Sequence, residues 1–314
     1  MRYRTLGKTG LKVSLLSFGT VALGVDYGIE IPAGYGRPTE DQALGLLHSA
    51  VDQGVNFFDT APAYGESERL LGKALKKQPN CYVATKVTIP KDSNGEQLRG
   101  RQLSQAIEDS LASSLKLLQR DVLDVVQIHN ASLGTVRQGE IAAILHKAKQ
   151  EGKIRSFGAS VYTVEEALAV INNGNYDLLQ IAYNILDQRM RAEVFPAAQK
   201  AGMGIISRSA FLKGVLTPKA EWLPKELDKL KVAATNIKEQ LKQSWQDLPQ
   251  VALRFCFSIP KISSVLVGVQ SEKELEKALK AESLGMLDKE TMEKLLGFSF
   301  AEEKLLNPAN WSIA

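Results

Sequence analysis

Asp59, Tyr64, Lys86 and His129 each stand where the pattern of the chain changes from strand to loop. Asp59 ends the short apolar run Asn56-Phe57-Phe58, and Tyr64 follows in a loop with Pro62 and Gly65. Leu70, Leu71, Ala74 and Leu75 then recur at helical spacing. A buried strand has no structural use for a terminal carboxylate, because burying the charge costs several kcal/mol unless it is paired. Each residue also has a plain structural reading. Asp59 caps a turn, Lys86 is a surface cation, and His129 is a core imidazole satisfied by a backbone carbonyl. Together they allow a specific chemistry. A phenol is protonated at neutral pH, and a neighbouring ammonium lowers its pKa and makes it a better proton donor. Lys86 is expected to be that ammonium, with Asp59 holding and neutralising it and Tyr64 as donor. His129 would hydrogen-bond the oxygen of a bound carbonyl. Such a set protonates an alkoxide as it forms, which is what carbonyl reduction by hydride requires. The hydride has to come from a cofactor, since no side chain supplies one.

The elements that must position these groups follow from periodicity. Residues 1–14 read as a hairpin around Gly7, Lys8, Thr9 and Gly10. Ser17-Phe18-Gly19-Thr20 is a strand end, and a loop rich in glycine and tyrosine runs on to Pro38. Thr39 caps a helix with Ala43, Leu44, Leu47, Ala50 and Val51 on its apolar face, closed by Gly54. Residues 82–85 form a strand ending in Lys86, 122–127 one ending at Ile128-His129, and 154–159 one ending in Ser160. Further strands cover 178–182, which contains Gln180, then 204–207 and 263–267. Helical faces lie between them, among them Leu103, Ile107, Leu111 and Leu115, and a capping box, Thr163-x-x-Glu166. A charged helix is expected over 228–242, an apolar one over 251–257, and a tail runs to Ala314. Strand and helix thus alternate eight times without a linker. The pattern predicts a single α/β domain over 1–314: a (β/α)8 TIM barrel with an N-terminal β-hairpin and extra C-terminal helices and loops. A doubly wound open sheet is the competing architecture, but no G-x-G-x-x-G follows the first strand. In a barrel the site lies at the C-terminal ends of the strands, where all four residues fall.

Composition removes other classes. A net charge of +4 on 314 residues leaves no nucleic-acid footprint. No apolar run approaches the length of a membrane span, and the N-terminus lacks a signal-type segment. Cys81 and Cys256 lie far apart in apolar company, which fits buried thiols in a reducing cytoplasm. Three histidines without a nearby cysteine partner make no zinc site, and no metal is expected.

The chain resembles the aldo-keto reductases along nearly its full length. The resemblance rests on YRTLGKTGLKVS, NFFDTAPAYGESE around Asp59 and Tyr64, ATK, DVVQIH, GKIRSFGAS and VLVGV. It implies that Asp59, Tyr64, Lys86 and His129 are the catalytic tetrad and that NADPH, with NAD(H) as a further option, lies across the barrel mouth. By the same resemblance, Ser160 and Gln180 bind the nicotinamide amide, and the segment 209–214, with Ser209, Phe211 and Gly214, covers the pyrophosphate. Thr20, Arg208, Gly268, Gln270 and Glu274 complete the implied cofactor contacts. Arg208 stands where the family often has an aromatic residue stacked on the nicotinamide, and a guanidinium plane can also stack on a ring. Val161 replaces the usual Asn after the serine, removing one amide contact. Gln270 stands where a cation commonly meets the 2′-phosphate, with Lys273 near enough to compensate in part. Ser271-x-x-Glu274 reads equally as a capping box and as an adenine contact.

Three functions compete. The leading one is a cytoplasmic NAD(P)H-dependent oxidoreductase acting on an aldehyde, ketone or sugar. The resemblance also admits a regulatory subunit that holds the cofactor and turns over slowly. A barrel lyase using Lys86 as a Schiff base is the third, but such a lysine needs a lowered pKa and Asp59 would raise it. The substrate would be a small carbonyl compound met by the loops 21–37, 130–133 and 208–224 and the tail around Trp311. Tyr27, Tyr35, Trp222 and Trp311 are candidate liners, and Asn130 beside His129 favours a hydroxylated substrate.

Overall fold

The computed structural model of the chain describes residues 1–298 and 300–312. Two short strands, β1 (Tyr3–Thr5) and β2 (Lys12–Ser14), pair antiparallel as the expected hairpin. Eight parallel strands then close a barrel: β3 (Leu16–Gly19), β4 (Phe57–Asp59), β5 (Tyr82–Val87), β6 (Leu123–Ile128), β7 (Ile154–Val161), β8 (Leu178–Ala182), β9 (Gly204–Arg208) and β10 (Ser264–Gly268). They are joined in chain order, with β10 against β3. Closure leaves no strand edge unpaired.

Alternation along each strand sorts the side chains. Phe57, Ala84, Val125, Leu178, Ile206 and Leu266 point inward and meet Leu6, Leu11 and Val13 of the hairpin. The hairpin therefore plugs the N-terminal end of the barrel. Its turn lies against the start of β9, where Lys8 donates to Gly202 O at 2.7 Å. A Cβ on Gly7 would come within 2.1 Å of Gly204 N, and its φ is +50°, so this close approach requires glycine. The outward residues, such as Phe18, Phe58, Val83, Val126 and Ile181, pack under the helices in the main core. Burying each such side chain fully is worth about 1.5–3 kcal/mol.

The helices begin where the capping signals placed them. Thr39 and Thr163 form capping boxes with Gln42 and Glu166, opening the helices Glu40–Asp52 and Val164–Asn173. Some details differ from expectation, among them a helix Val21–Gly24 within the expected loop 21–38. A short helix, Leu133–Gln138, capped by Ser132, follows β6. The apolar helix starts at Leu248 rather than 251, because Pro249 suits a first helical turn, where its missing N–H has no partner to lose. The tail adds the helices Lys289–Leu296 and Glu303–Leu306. No described helix is long and apolar enough to cross a membrane.

Candidate active site

Parallel register sets Asp59 and Lys86 one inward step apart on neighbouring strands. Gly19 pairs with Asp59, Asp59 with Ala84, and Lys86 with Gln127 on the neighbouring strands. Asp59 and Lys86 point into the barrel and are almost wholly buried, at 4% and 1% exposed. The Lys86 ammonium donates to Asp59 Oδ2 at 2.5 Å and to Thr60 O at 2.8 Å. Asp59 Oδ1 accepts from Gln180 Nε2 at 2.8 Å and from Gln127 Nε2 at 3.2 Å. Burial works against the charge on Lys86, but the Asp59 carboxylate and the Tyr64 phenol outweigh it and raise its pKa above the usual lysine value. That sign disfavours a neutral, nucleophilic lysine and with it the Schiff-base reading.

Tyr64 leans over this pair, its ring centroid 4.8 Å from Lys86 Nζ. The His129 ring meets it edge-on, with centroids 5.8 Å apart and planes at 87°. The four side chains expected at the strand ends are thus in one cluster. One expectation reverses: Tyr64 has its pKa raised, not lowered. Burial penalises the phenolate more than the Lys86 ammonium favours it, and Asp59 adds to the penalty. His129 is pushed down to about 4, first by burial and then by Lys86, so its imidazole is neutral at physiological pH. A neutral phenol and a neutral imidazole, both facing one mouth, can each offer a hydrogen to a carbonyl oxygen.

The residues expected to hold a cofactor spread around the same mouth. Ser160 and Gln180 are register partners on β7 and β8 and both are buried. Thr20 is fully buried, and its hydroxyl donates to Asp59 O at 3.0 Å, so its side chain is committed to the strand end. Gly19 and Gly268 stand side by side on β3 and β10, leaving a side-chain-free stretch of rim; a Cβ on Gly268 would meet nothing nearer than Gly19 O at 3.9 Å. Past β9 the backbone turns left-handed at Ser209 (φ 61°), Leu212 (φ 46°) and Lys213 (φ 54°), folding residues 209–214 into a tight loop. Phe211 opens its 3-10 turn, and Gly214, at φ 114°, closes it against Ile29.

Arg208 lies with its guanidinium 4.2 Å above the Tyr162 ring and donates to Val161 O and Ser209 Oγ. One face of the plane is therefore taken by Tyr162. Gln270 donates to Tyr35 O at 2.9 Å and accepts from Lys219 Nζ at 3.2 Å. The cation beside Gln270 is Lys219, whereas Lys273 is exposed. Ser271 caps the helix Glu272–Ser283, and the Glu274 carboxylate accepts from Gln270 N at 2.8 Å. Of the four candidate liners, Tyr27 and Trp222 are exposed. Trp311 is 7% exposed and donates to Leu305 O, so it belongs to the tail's own packing.

Three contributors escaped sequence reasoning. Tyr162 was hidden because its pairing with Arg208 joins the loop after β7 to the end of β9, two strands away. Lys219 sits in a stretch without regular pattern, so nothing linked it to Gln270. Gln127 carried a usable signal: it lies two residues before His129 and so shares the inward face of β6, where a polar residue is out of place.

Comparison with known proteins agrees with the barrel fold. The chain is 33% identical to L-galactose dehydrogenase of Arabidopsis thaliana over 312 residues, covering 93% of this chain and 92% of that one. It is 27% identical to the NADH-specific methylglyoxal reductase of Escherichia coli, covering 92% and 95%. An aldo-keto reductase of Bacillus halodurans in its holo form superposes with a TM-score of 0.77 at 25% identity, covering 99% of this chain and 98% of that one. Residues 15–298 match the family model described as the aldo/keto reductase family, and the chain belongs to that family.

Proposed function

We propose that the protein is an NAD(P)H-dependent reductase of an aldehyde, ketone or sugar carbonyl, working also in reverse, with Tyr64 as the proton donor. The supporting observation is the buried Lys86 ammonium, fixed by Asp59 at 2.5 Å and placed 4.8 Å from the Tyr64 ring centroid. When bound, a reduced nicotinamide supplies the hydride. The residues around the mouth fit it: a glycine-lined rim at Gly19 and Gly268, amide and hydroxyl groups at Gln180 and Ser160, and a tight left-handed loop at Ser209. His129 and Tyr64 orient the carbonyl oxygen by two hydrogen bonds. As charge builds on that oxygen, Tyr64 passes its proton to it, and the Lys86 ammonium stabilises the phenolate left behind. Phe211 and Gly214 shape the loop over the pyrophosphate, and Arg208 offers the face of its guanidinium opposite Tyr162 to the nicotinamide.

Lys219, joined to Gln270, is the cation assigned to the 2′-phosphate, so NADPH is preferred over NADH, but weakly. Glu274 serves this corner by fixing the Gln270 backbone rather than by touching the adenine. The protein acts in the cytoplasm as one barrel domain. The test is NADPH and NADH oxidation, followed at the nicotinamide absorbance, with L-galactose, other hexoses, methylglyoxal, aromatic aldehydes and ketosteroids. Turnover of at least one class is expected. Tight cofactor binding without turnover would select the regulatory-subunit reading instead.

A further inference from the structure

Gln127 is fully buried on the inward face of β6, and its amide donates to Asp59 Oδ1. Its register partner on β5 is Lys86, so the two side chains stand next to each other inside the barrel. Below them the same face of these strands is apolar, with Ala84 and Val125 in the interior cluster. Gln127 Oε1 is buried and has no partner among the described residues. A buried amide with an unmet carbonyl is costly, and methionine or leucine would fill the space without that cost. A glutamine here is therefore explained by its other end.

That end meets a carboxylate whose two oxygens have separate duties. Oδ2 takes the Lys86 ammonium, and Oδ1 takes the two amides of Gln127 and Gln180. Without donors on Oδ1 the carboxylate is free to rotate or to take the ammonium on both oxygens, drawing Lys86 away from Tyr64. Gln180 is also assigned to the nicotinamide amide, and its hold on Asp59 is shared once a cofactor is present. Gln127 aligns by register with Leu178, two residues before Gln180, and is not among the residues assigned to the cofactor.

We propose that Gln127 is a positioning residue of the proton relay, holding Asp59 so that Oδ2 alone faces Lys86 and the ammonium stays directed at Tyr64. The inference rests on the reductase reading given above. The charged and titratable groups facing Tyr64 are Asp59 on β4, Lys86 on β5, His129 after β6, Arg208 on β9 and Tyr27 from the loop after β3, with Tyr162 after β7 lying beyond against Tyr27 and Arg208. Burial raises the Tyr64 pKa most; among these groups Lys86 and Arg208 favour the phenolate and Asp59 opposes it, so the relative placement of Lys86 and Asp59 shifts the pH at which Tyr64 can act as a base in alcohol oxidation.

The experiment compares wild type, Gln127→Met, Asp59→Asn and the double variant. It records pH profiles of alcohol oxidation, cofactor Kd by nicotinamide fluorescence, and Tm. Gln127→Met is expected to move the acidic limb upward by at least half a pH unit, on the order of a threefold change in phenolate population. It should lower kcat about tenfold at neutral pH, less than the roughly 10²–10⁴-fold for losing the acid itself. Cofactor Kd should stay within about twofold, since of the two glutamines on Asp59 only Gln180 is assigned to the cofactor. In the Asp59→Asn background Gln127→Met should have no further effect, because it acts only through that carboxylate. A lowered Tm with an unmoved limb, or additive effects in the double variant, would overturn the proposal. If Gln127→Met does not fold, Gln127→Glu replaces it; there a second carboxylate beside Asp59 should push the limb further up, and an unmoved limb again overturns it. No turnover by wild type on any carbonyl in the panel overturns the reductase reading itself.

Discussion

Replacing Lys86 by methionine removes the one cation in direct contact with both Asp59 and Tyr64 while keeping the length of the side chain. The ammonium lies 4.8 Å from the Tyr64 ring centroid. At an effective dielectric constant of about 20, unit charges at that separation attract by about 3.5 kcal/mol. At about 1.36 kcal/mol per unit, this is roughly 2.5 pKa units in favour of the phenolate. Asp59, 2.5 Å from the ammonium, cancels part of that field. The net effect expected is therefore about 1–2 units. In alcohol oxidation Tyr64 must be the base, so activity falls as pH drops through its pKa. Loss of Lys86 raises that pKa and moves the acidic limb of kcat/KM to higher pH by the same amount. Asp59 complicates the single variant, since it is left buried without its cation. The double variant Asp59→Asn/Lys86→Met removes both charges and should shift the limb less than Lys86→Met alone. The assay is the initial rate of NADP⁺ or NAD⁺ reduction over a range of alcohol concentrations reaching below KM, at saturating cofactor and fixed ionic strength. A limb at the same pH in wild type and Lys86→Met would show that Lys86 is structural and that the field argument is wrong.

Three further outcomes are expected. Tyr64→Phe should lower kcat for reduction about 10²–10⁴-fold while leaving cofactor Kd nearly unchanged; retention of a third of wild-type kcat, with chemistry rate-limiting, refutes the assignment of the donor. His129, pushed down to about 4, should give no inflection in the reduction rate between pH 5 and 8. Its unfolded-state pKa is near 6.5, so between these values the unfolded chain binds more protons; the contribution to stability is complete above about 6.5 and is lost as pH falls towards 4. A His129→Gln variant should flatten the fall in Tm over that range, and an unchanged slope counts against a buried neutral imidazole. Wild type should prefer NADPH over NADH by about tenfold in kcat/KM, Lys219→Met should abolish the preference and Gln270→Arg should sharpen it, since a hydrogen bond to a charged group is worth about 1.5–3 kcal/mol. A preference that survives Lys219→Met places the 2′-phosphate elsewhere.

What could be read from the chain was what depends on period and position. Alternation of strand and helix gave the barrel, and the rule that sites lie at the C-terminal strand ends gave Asp59, Lys86 and His129 before any contact was known. Thr39 and Thr163 marked helix starts because capping is a local bond between residues three apart. The direction of the Tyr64 shift was not legible. Sequence shows that a lysine is near a tyrosine in the fold, but the sign depends on how much water the phenol has lost, and burial is a property of the closed barrel. The Arg208 and Tyr162 stack and the Lys219 and Gln270 pair were hidden for a related reason, because loop lengths do not say where a loop side chain meets a distant residue.

The largest gap was the ring of donors around Asp59. Asp59 and Gln180 are 121 residues apart, on strands β4 and β8, which are not neighbours in the sheet. Nothing in either strand's own pattern joins them; they meet only because closure of the barrel turns every inward side chain toward a common axis. The same closure makes an inward polar residue informative. In an interior otherwise filled by Phe57, Ala84, Val125, Leu178, Ile206 and Leu266, a side chain with hydrogen-bonding atoms has no water to fall back on. It must be bonded to another inward polar group, and those groups cluster at the level of Asp59. Gln127 and Gln180 on β6 and β8, Lys86 on β5 and Asp59 on β4 therefore belong to one network. A change to Gln127 or Gln180 acts on Tyr64 through the Asp59 carboxylate, which is why the effects of such changes should fail to add to those of Asp59→Asn.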